Sequence, residues 1–344
     1  MHHMRAEILE QPDVIAALLA REQASIRALA DACRQRQITF LSIAARGTSD
    51  HAAIFARYFF EMVTGVPAAL AAPSIFTLYR RPPRLERALV LGISQSGEAE
   101  DATEVLRQAR AQGALTACIV NHAASSMAAV AEHTLLCHAG EELSLPATKT
   151  YTASLALAYA LAATIAERTD LLGHLEAVPG WMRQVLASEA EIQRRAERYR
   201  YMEECVVLAR GLNQCTALET ALKLMETNYL RALGYSAADF LHGHIAIVEE
   251  GYPCIAYAPG GAAYPGMLAL LERLRSQGAE RIVVSDREEA LALAQTPFPI
   301  PSVPEEVSPL VAILIGQLFT YHLALVKGRD PDHPRGLKKV TRTR

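Results

Sequence analysis

Short apolar runs alternate with longer segments of helical periodicity along this chain. The run ITFLSIAARGTS ends in Ala45-Arg46-Gly47, and CVVLARGLN ends in Ala209-Arg210-Gly211; an amphipathic pattern follows each. Such alternation is typical of βαβ units, whose strands form a parallel sheet flanked by helices. The pattern therefore predicts an α/β fold with doubly wound, mostly parallel sheets.

The same features occur twice, which indicates an internal duplication. Arg46-Gly47 and Arg210-Gly211 lie 164 positions apart, and Gln112-Gly113 and Gln277-Gly278 lie 165 positions apart. Two matches at nearly one offset favour two related domains, since the repeat is far too long for a solenoid.

The domain boundaries follow from interruptions of the pattern. A helical pattern precedes the first repeat. The join is expected between Leu172 and Gln193, where Gly173, Pro179 and Gly180 interrupt the periodicity. The predicted organisation is a helical segment at 1–34, a first α/β domain at 35–172, a second at 193–330, and a polar, basic C-terminal tail at 331–344 that closes on the active site.

Composition narrows the possible partners. A net charge of −3 and the lack of a basic stripe disfavour nucleic acid. The six cysteines show no CxxC spacing, so we expect buried thiols in a reducing compartment. No apolar signal segment begins the chain, and cytoplasm is therefore expected. The longest apolar stretch is taken to be Tyr151 to Ile165, which is about five residues shorter than a membrane-spanning helix. It is therefore interpreted as a core helix, and no membrane partner is expected.

Hydroxyl-rich segments follow two predicted strands of the first repeat. Ser94, Gln95 and Ser96 lie between an apolar run and a helical pattern, and Thr48-Ser49 follows the first run. Because carboxyl ends of parallel strands share one crevice and helix starts favour anions, these residues predict a site for a phosphate monoester. The alternative is that the hydroxyls only cap helices. Neither a P-loop nor GxGxxG is present.

The duplication makes this site asymmetric. The position equivalent to Ser94 in the second repeat is Pro259, within a segment that lacks hydroxyls. We therefore expect only the first repeat to bind the anion. A third segment of the first repeat contains Thr148, a possible helix cap, and Lys149, which either lies near the ligand or belongs to a plain loop.

The second repeat contributes titratable side chains. Glu219, Lys223 and Glu226 are spaced by four and three, which places them on one face of a helix. They are either a surface ion pair or a crevice carboxylate able to act as a base. His242 and His244 form an HxH pair, which is a weak zinc signal without a third ligand, whereas a histidine can move a proton on a sugar oxygen. No metal site is predicted.

Taken together, six motifs resemble the tandem sugar isomerase (SIS) domain family. They are ARGTSDHAA, SQSGE, EELSLPATK, ALETALKLMET, LHGHIAIV and RGLKKVT, and they span nearly the whole chain in order. The chain resembles the isomerase half of glucosamine-6-phosphate synthase and, more closely, the single-chain glucosamine-6-phosphate deaminases.

The resemblance implies a role for each matched residue. The sugar phosphate would be held by Ser49, Ser94, Gln95 and Ser96, with Thr48 nearby and with Leu145 and Ala147 lining the sugar. Glu226 would move the proton between C1 and C2, supported by Glu219 and Lys223. His242 would open the ring across a homodimer interface. Lys339 would be the tail lysine able to form a Schiff base, although Lys338 lies beside it.

Departures from the family pattern affect the substrate. The family commonly has Thr where Ala99 stands, Ser at Ala147 and Pro at His244. The nucleophile of the synthase's glutaminase domain is an N-terminal cysteine, whereas residue 2 of this chain is His. Without that source of ammonia, the deaminating reaction is expected rather than the synthetic one. The first hypothesis is therefore the conversion of glucosamine 6-phosphate to fructose 6-phosphate and ammonia, without metal or organic cofactor. The alternatives are a fructosamine-phosphate deglycase, an aldose-ketose isomerase, and a sugar-phosphate-binding regulator without turnover.

Overall fold

The first repeat forms a parallel five-stranded sheet in the computed structural model, which describes residues 2–339. The strands follow the order β2-β1-β3-β4-β5. Their bounds are β1 Phe40–Ala44, β2 Ala68–Leu70, β3 Ala88–Ser94, β4 Leu115–Val120 and β5 His133–Leu136. The central strands β3 and β4 are buried along their whole length, as expected of strands covered by helices on both faces.

The second repeat forms an equivalent sheet. Its strands are β6 Glu204–Ala209, β7 Arg231–Ser236, β8 Pro253–Tyr257, β9 Glu280–Ser285 and β10 Thr296–Pro299. The order β10-β9-β8-β6-β7 matches the first sheet strand for strand, with β6 in the place of β1 and β8 in the place of β3. All pairs are parallel. The predicted α/β fold and the internal duplication are confirmed.

Helices connect the strands and cover the sheets. They are α1 His3–Gln35, α2 Thr48–Thr64, α3 Pro73–Thr77, α4 Glu100–Ala111, α5 Ser126–Val130, α6 Lys149–Ile165, α7 Thr169–Leu186, α8 Glu189–Ala196, α9 Gln214–Asn228, α10 Ala237–Leu241, α11 Tyr264–Ser276, α12 Glu288–Ala292 and α13 Ser308–Val326. Helix α6 is buried over almost its whole length, so the stretch from Tyr151 to Ile165 is a core helix as predicted.

Contacts divide the chain into two compact units. The first-sheet unit comprises residues 10–142, 147–177 and 338–339. The second-sheet unit comprises residues 2–9, 143–146 and 178–337. The boundaries of the two α/β domains that the sequence analysis gave remain predictions. Position 1 of the predicted helical segment and positions 340–344 of the predicted tail lie outside the described residues.

The structure of helix α7 differs from what was expected at the junction between the two domains. The helix continues through Gly173, Pro179 and Gly180, which were interpreted as interruptions. Leu171, Leu175, Val178, Met182 and Val185 are all buried, and their spacing of three and four places them along one face. Burial of this apolar stripe outweighs the weaker local preference of two glycines and a proline against helix.

The chain contains a longer apolar helix than the one singled out from the sequence. The helical stretch Glu305–Val326, which includes α13, is long and apolar enough to cross a bilayer, yet 89% of its most apolar window is buried within the protein. The interpretation of Tyr151 to Ile165 as the longest apolar stretch was therefore wrong. A buried helix of this kind forms the core of its own unit, in contact with α8 and α9.

All six cysteines lie within the described range and are buried free thiols, as the sequence predicted. Burial raises the pKa of Cys118 to about 11 and that of Cys254 to about 12. Both thiols are therefore protonated and unreactive near neutral pH.

Candidate functional site

The strand order places a crevice between β1 and β3. The chain runs from β1 outward to β2 and then returns to the other side of β1 to form β3. Ligands of open parallel sheets bind at such a reversal, outside the carboxyl ends of the two strands. Ser49 follows β1, and Ser94 ends β3. Both hydroxyl-bearing loops predicted from the sequence therefore lie at this edge of the first sheet.

The loop after β3 is folded by its own hydroxyls. Ser94 Oγ accepts a hydrogen bond from the Gly97 N–H at 3.1 Å, and Ser96 Oγ accepts one from the Glu98 N–H at 3.2 Å. Gly97 has a φ of 70°, and a Cβ at this position would lie 2.2 Å from Ser125 Oγ. Glycine is therefore required for this tight turn. Ala99 occupies the N-cap position of α4, so the two serines fold the loop rather than cap the helix.

The loop after β1 turns directly into α2. Gly47 adopts a φ of 57°, and the Ser49 N–H donates to the Arg46 carbonyl at 3.1 Å. Thr48 and Ser49 begin the helix and are half-buried. Two hydroxyls at a helix start, next to the Ser94 loop, form an arrangement suited to a small anion.

Carboxylates fill the equivalent place in the second sheet. Asp286 Oδ1 accepts from the Gly260 N–H at 2.6 Å. Glu305 accepts from the N–H groups of Ala262 at 2.6 Å and Ala263 at 3.2 Å. These negative charges occupy the backbone donors that a phosphate would need and would repel it. The asymmetry expected from Pro259 thus has a physical basis that the sequence did not reveal.

Helix α9 carries a charged network in the second-sheet unit. Lys223 Nζ lies 3.3 Å from Glu219 and is also hydrogen-bonded to Glu226. The side chains of Lys223 and Glu219 are fully buried, whereas 19% of the Glu226 side chain is exposed. Burial alone lowers the pKa of Lys223, but the two carboxylates outweigh it and raise this pKa to about 12. The interpretation as an ordinary surface pair is therefore wrong, and only Glu226 of the three reaches solvent.

The HxH pair is split between two environments. His242 follows α10 and is exposed in the single chain. His244 stacks on Tyr235 with ring centroids 4.3 Å apart. Among residues 2–339, no group of three or more His, Cys, Asp or Glu side chains is placed to hold a metal ion. Both imidazoles are exposed, and only that of His244 is stacked on a neighbouring ring.

The segment before α6 is organised by Glu142, which the sequence analysis missed. Its Oε1 accepts from the N–H groups of Thr148 at 2.9 Å and Thr150 at 3.1 Å, and Oε2 accepts from the Thr150 hydroxyl at 2.8 Å. Thr148 stands at the N-cap position, but the capping bonds go to the Glu142 carboxylate, which is the stronger acceptor. No rule of local sequence spacing predicts a cap from a carboxylate that lies six residues before the N-cap position.

Two lysines of the first-sheet unit are paired with acids. Lys149 Nζ bonds Glu10 at 2.7 Å, so its ammonium already has a carboxylate partner. Lys339 Nζ lies 3.2 Å from Glu142 Oε2, and 26% of its side chain is exposed. Glu142 thus joins the start of α6 to the lysine that the family pattern singles out.

The remaining candidate residues are partly exposed. Leu145 and Ala147 are both half-buried, and the Leu145 N–H donates to the Asp332 carbonyl at 3.1 Å. The neighbouring N–H of Ser144 bonds the buried Glu7 carboxylate at 3.2 Å. These bonds fix the backbone that carries Leu145 within the second-sheet unit.

Comparison with known proteins identifies the family. The model of the SIS domain matches residues 35–164 and again residues 202–327. The chain belongs to the SIS domain family. It is 36% identical over 354 aligned residues to the glutamine–fructose-6-phosphate aminotransferase (isomerizing) of Zymomonas mobilis, an alignment that covers 98% of this chain and 58% of that enzyme. The chain thus spans little more than half the length of this curated relative.

Solved structures agree with this assignment. The C-terminal domain of glucosamine-fructose-6-phosphate aminotransferase from Francisella tularensis superposes with a TM-score of 0.87 at 26% identity, covering 97% of this chain and 98% of that one. Glucosamine-6-phosphate deaminase from Thermotoga maritima superposes with a TM-score of 0.79 at 19% identity, covering 99% and 100%, and shows a shared fold. The resemblance to the tandem SIS family is therefore confirmed.

Proposed function

We propose that this SIS protein is an enzyme acting on an amino sugar phosphate, converting glucosamine 6-phosphate and water to fructose 6-phosphate and ammonia. The observation that carries the proposal is the pair of hydroxyl-bearing loops at the β1–β3 reversal, which suits a phosphate monoester. The names of the relatives, which refer to hexosamine and fructose 6-phosphates, support this substrate class.

The proton-transfer step is assigned to Glu226. Once the ring is open, the Glu226 carboxylate accepts the proton from C2 and returns it to C1, while the C1 carbonyl oxygen gains a proton and the C2 amino group loses one. C2 is thereby oxidised to a ketimine and C1 is reduced to a hydroxymethyl group. Water adds to the ketimine and releases ammonia, so no external oxidant or reductant is needed. Partial exposure of Glu226 beside the buried Lys223 ammonium leaves the carboxylate accessible.

The remaining groups take the roles that the family pattern implies. Ser49, Ser94, Gln95 and Ser96 bind the phosphate, with Thr48 beside them, and Leu145 and Ala147 line the sugar. His242, supplied by a second copy of the chain, opens the ring. After it leaves Glu142, the Lys339 amine forms a Schiff base with the carbonyl carbon of the keto sugar, and the carbonyl oxygen leaves as water. Glu219 and Lys223 hold Glu226 in place. The functional unit is then a homodimer.

The test is release of ammonia and fructose 6-phosphate from glucosamine 6-phosphate without glutamine. We expect both products from the wild type and neither from Glu226→Gln, which should still bind the sugar phosphate. Glu272→Gln, an exposed carboxylate of α11, is the matched control and should leave turnover unchanged. Ketose formation from an aldose phosphate without ammonia would favour the isomerase. Hydrolysis of a fructosamine phosphate to a sugar phosphate and the released amine would favour the deglycase. Binding without any turnover would favour a regulator.

A further inference from the structure

An ion pair bridges the two hydroxyl-bearing loops of the first sheet. Arg46, in the loop after β1, places Nε 2.7 Å and Nη2 2.6 Å from Oδ2 of Asp101, in the first turn of α4. The Asp101 side chain is 3% exposed, whereas that of Arg46 is 52% exposed. A nearly buried carboxylate of this kind is held in place by its counter-charge, since losing the partner leaves it desolvated and unpaired.

Both members of the pair also accept a backbone hydrogen bond within their own segment of the chain. The Arg46 carbonyl accepts from the Ser49 N–H at 3.1 Å, so its backbone forms part of the turn that presents Ser49. Asp101 Oδ1 accepts from the Ala102 N–H at 2.9 Å and thereby fixes the start of the helix that follows Ser94 to Ser96. A shift of either residue therefore moves the hydroxyls of its own loop.

The second repeat provides an internal comparison. Arg210 is the counterpart of Arg46, and Gly266 stands 165 positions after Asp101. Arg210 Nη1 lies 2.7 Å from the point where a Cβ of Gly266 would be, so the arginine keeps its place although the acid has become glycine. The complete ion pair thus occurs in the repeat that has the serine loop.

We propose that the Arg46–Asp101 ion pair positions the two loops of the phosphate site relative to each other. The inference rests on the proposed function, because it takes the loops to bind the phosphate of the substrate. Arg46 acts here through Asp101 and is not itself a phosphate ligand. Separating the loops should weaken phosphate binding without changing the proton transfer, because the reacting carbons are served by other residues.

A charge-neutral replacement tests the inference. Arg46→Met combined with Asp101→Asn removes the ion pair, keeps the local net charge and leaves an amide oxygen for the Ala102 N–H. We expect the Kd for inorganic phosphate, measured by calorimetry, and the KM for glucosamine 6-phosphate to rise about tenfold, with kcat within about twofold of the wild type. The matched variant Arg210→Met should change neither constant. Circular dichroism and the unfolding temperature verify that each variant folds.

Each possible result separates this inference from its rivals. A wild-type Kd for phosphate in the double variant would overturn the positioning role. Tighter phosphate binding by Asp101→Asn alone would show that a released Arg46 is itself a ligand, and would also overturn it. A wild type that binds phosphate but does not turn over glucosamine 6-phosphate contradicts the proposed reaction, while the Kd comparison still decides the role of the pair. Failure of the wild type to bind phosphate would contradict both.

Discussion

At the level of single residues, Lys223 is charged inside the protein because two acids surround it. Its ammonium and the Glu219 carboxylate are fully buried, and the pKa of Lys223 is raised to about 12 by the two carboxylates despite burial. Such a network is sensitive to the loss of one member, because the remaining charges stay desolvated. The side chains of α9 that are proposed to act in catalysis are therefore also the ones on which the stability of this unit depends.

Removal of the Lys223 charge should lower stability strongly. We expect Lys223→Met to reduce the free energy of unfolding of its unit by about 3–5 kcal/mol, since the buried Glu219 carboxylate loses the ammonium beside it. The double variant Glu219→Gln/Lys223→Met should recover most of this loss, because both charges are then absent. Urea unfolding of the three proteins measures the effect. A loss below about 1 kcal/mol for the single variant would contradict this account of the network.

Some features of single residues could be predicted from the sequence, and others could not. Spacing alone placed Glu219, Lys223 and Glu226 on one face of a helix, and strand ends placed Ser49 and Ser94 at one crevice. Spacing could not tell a surface pair from a buried network, because burial depends on what packs above the helix. The ion pair between Arg46 and Asp101 was equally out of reach, since the two residues lie 55 positions apart.

At the level of elements, α4 begins with a residue that cannot cap it. Ala99 has an extended conformation with φ −71° and ψ 100°, and its carbonyl accepts from the Thr103 N–H at 2.9 Å. This geometry suits an N-cap threonine, whose hydroxyl would accept from a free N–H of the first turn. Asp101 already satisfies the Ala102 N–H, so one donor rather than two remains to be gained.

We therefore expect Ala99→Thr to stabilise the first-sheet unit by about 0.5 kcal/mol, at the lower end of the range for caps. Ala99→Val is the matched control, because it has nearly the same shape without the hydroxyl. The difference between the two variants in urea unfolding isolates the capping bond. Equal stability of the threonine and valine proteins would show that the hydroxyl does not cap α4.

Strands and helices could be predicted from the sequence where the local conformational preference of the residues agrees with their packing in the fold. The two sheets and the buried α6 follow from periodicity that the fold reinforces. Helix α7 was misjudged, since the apolar stripe from Leu171 to Val185 overrides Gly173, Pro179 and Gly180. The cap that Glu142 supplies to α6 comes from outside that helix, so helix-boundary signals in the sequence could not show it.

At the level of the whole molecule, the N-terminal helix is held by the C-terminal segment of the second-sheet unit. Asp332 accepts from the N–H groups of His3 at 2.8 Å and Met4 at 2.7 Å, which caps α1. Arg5, one turn along, bonds Glu189, and Glu189 also bonds His322 of α13 at 3.0 Å. One charged cluster within this unit thus joins the first turn of α1 to α8 and α13, and its protonation affects all three segments.

The pKa shifts of His322 and Glu189 determine how the stability of this unit changes with pH. Burial lowers the pKa of His322 below its ordinary value, and the bond to Glu189 offsets this only in part. The folded state therefore binds fewer protons than the unfolded state as the pH falls below about 6.5, and stability decreases. For Glu189, burial raises the pKa, but Arg5 and His322 outweigh it and hold it below the ordinary value. Its contribution to stability is present above about pH 4.5 and is lost below it.

We expect the unfolding temperature of the wild type to fall between about pH 7 and 5, and His322→Gln to reduce this dependence while keeping the further loss below about pH 4.5. Glutamine can still donate to Glu189 but does not titrate, so the difference between the two curves reports His322 alone. Calorimetric scans across this pH range make the measurement, with His333→Gln, an exposed histidine of the same unit, as the control. Parallel curves for wild type and His322→Gln would mean that the acid sensitivity of this unit comes from its carboxylates, and that burial of His322 is not linked to folding.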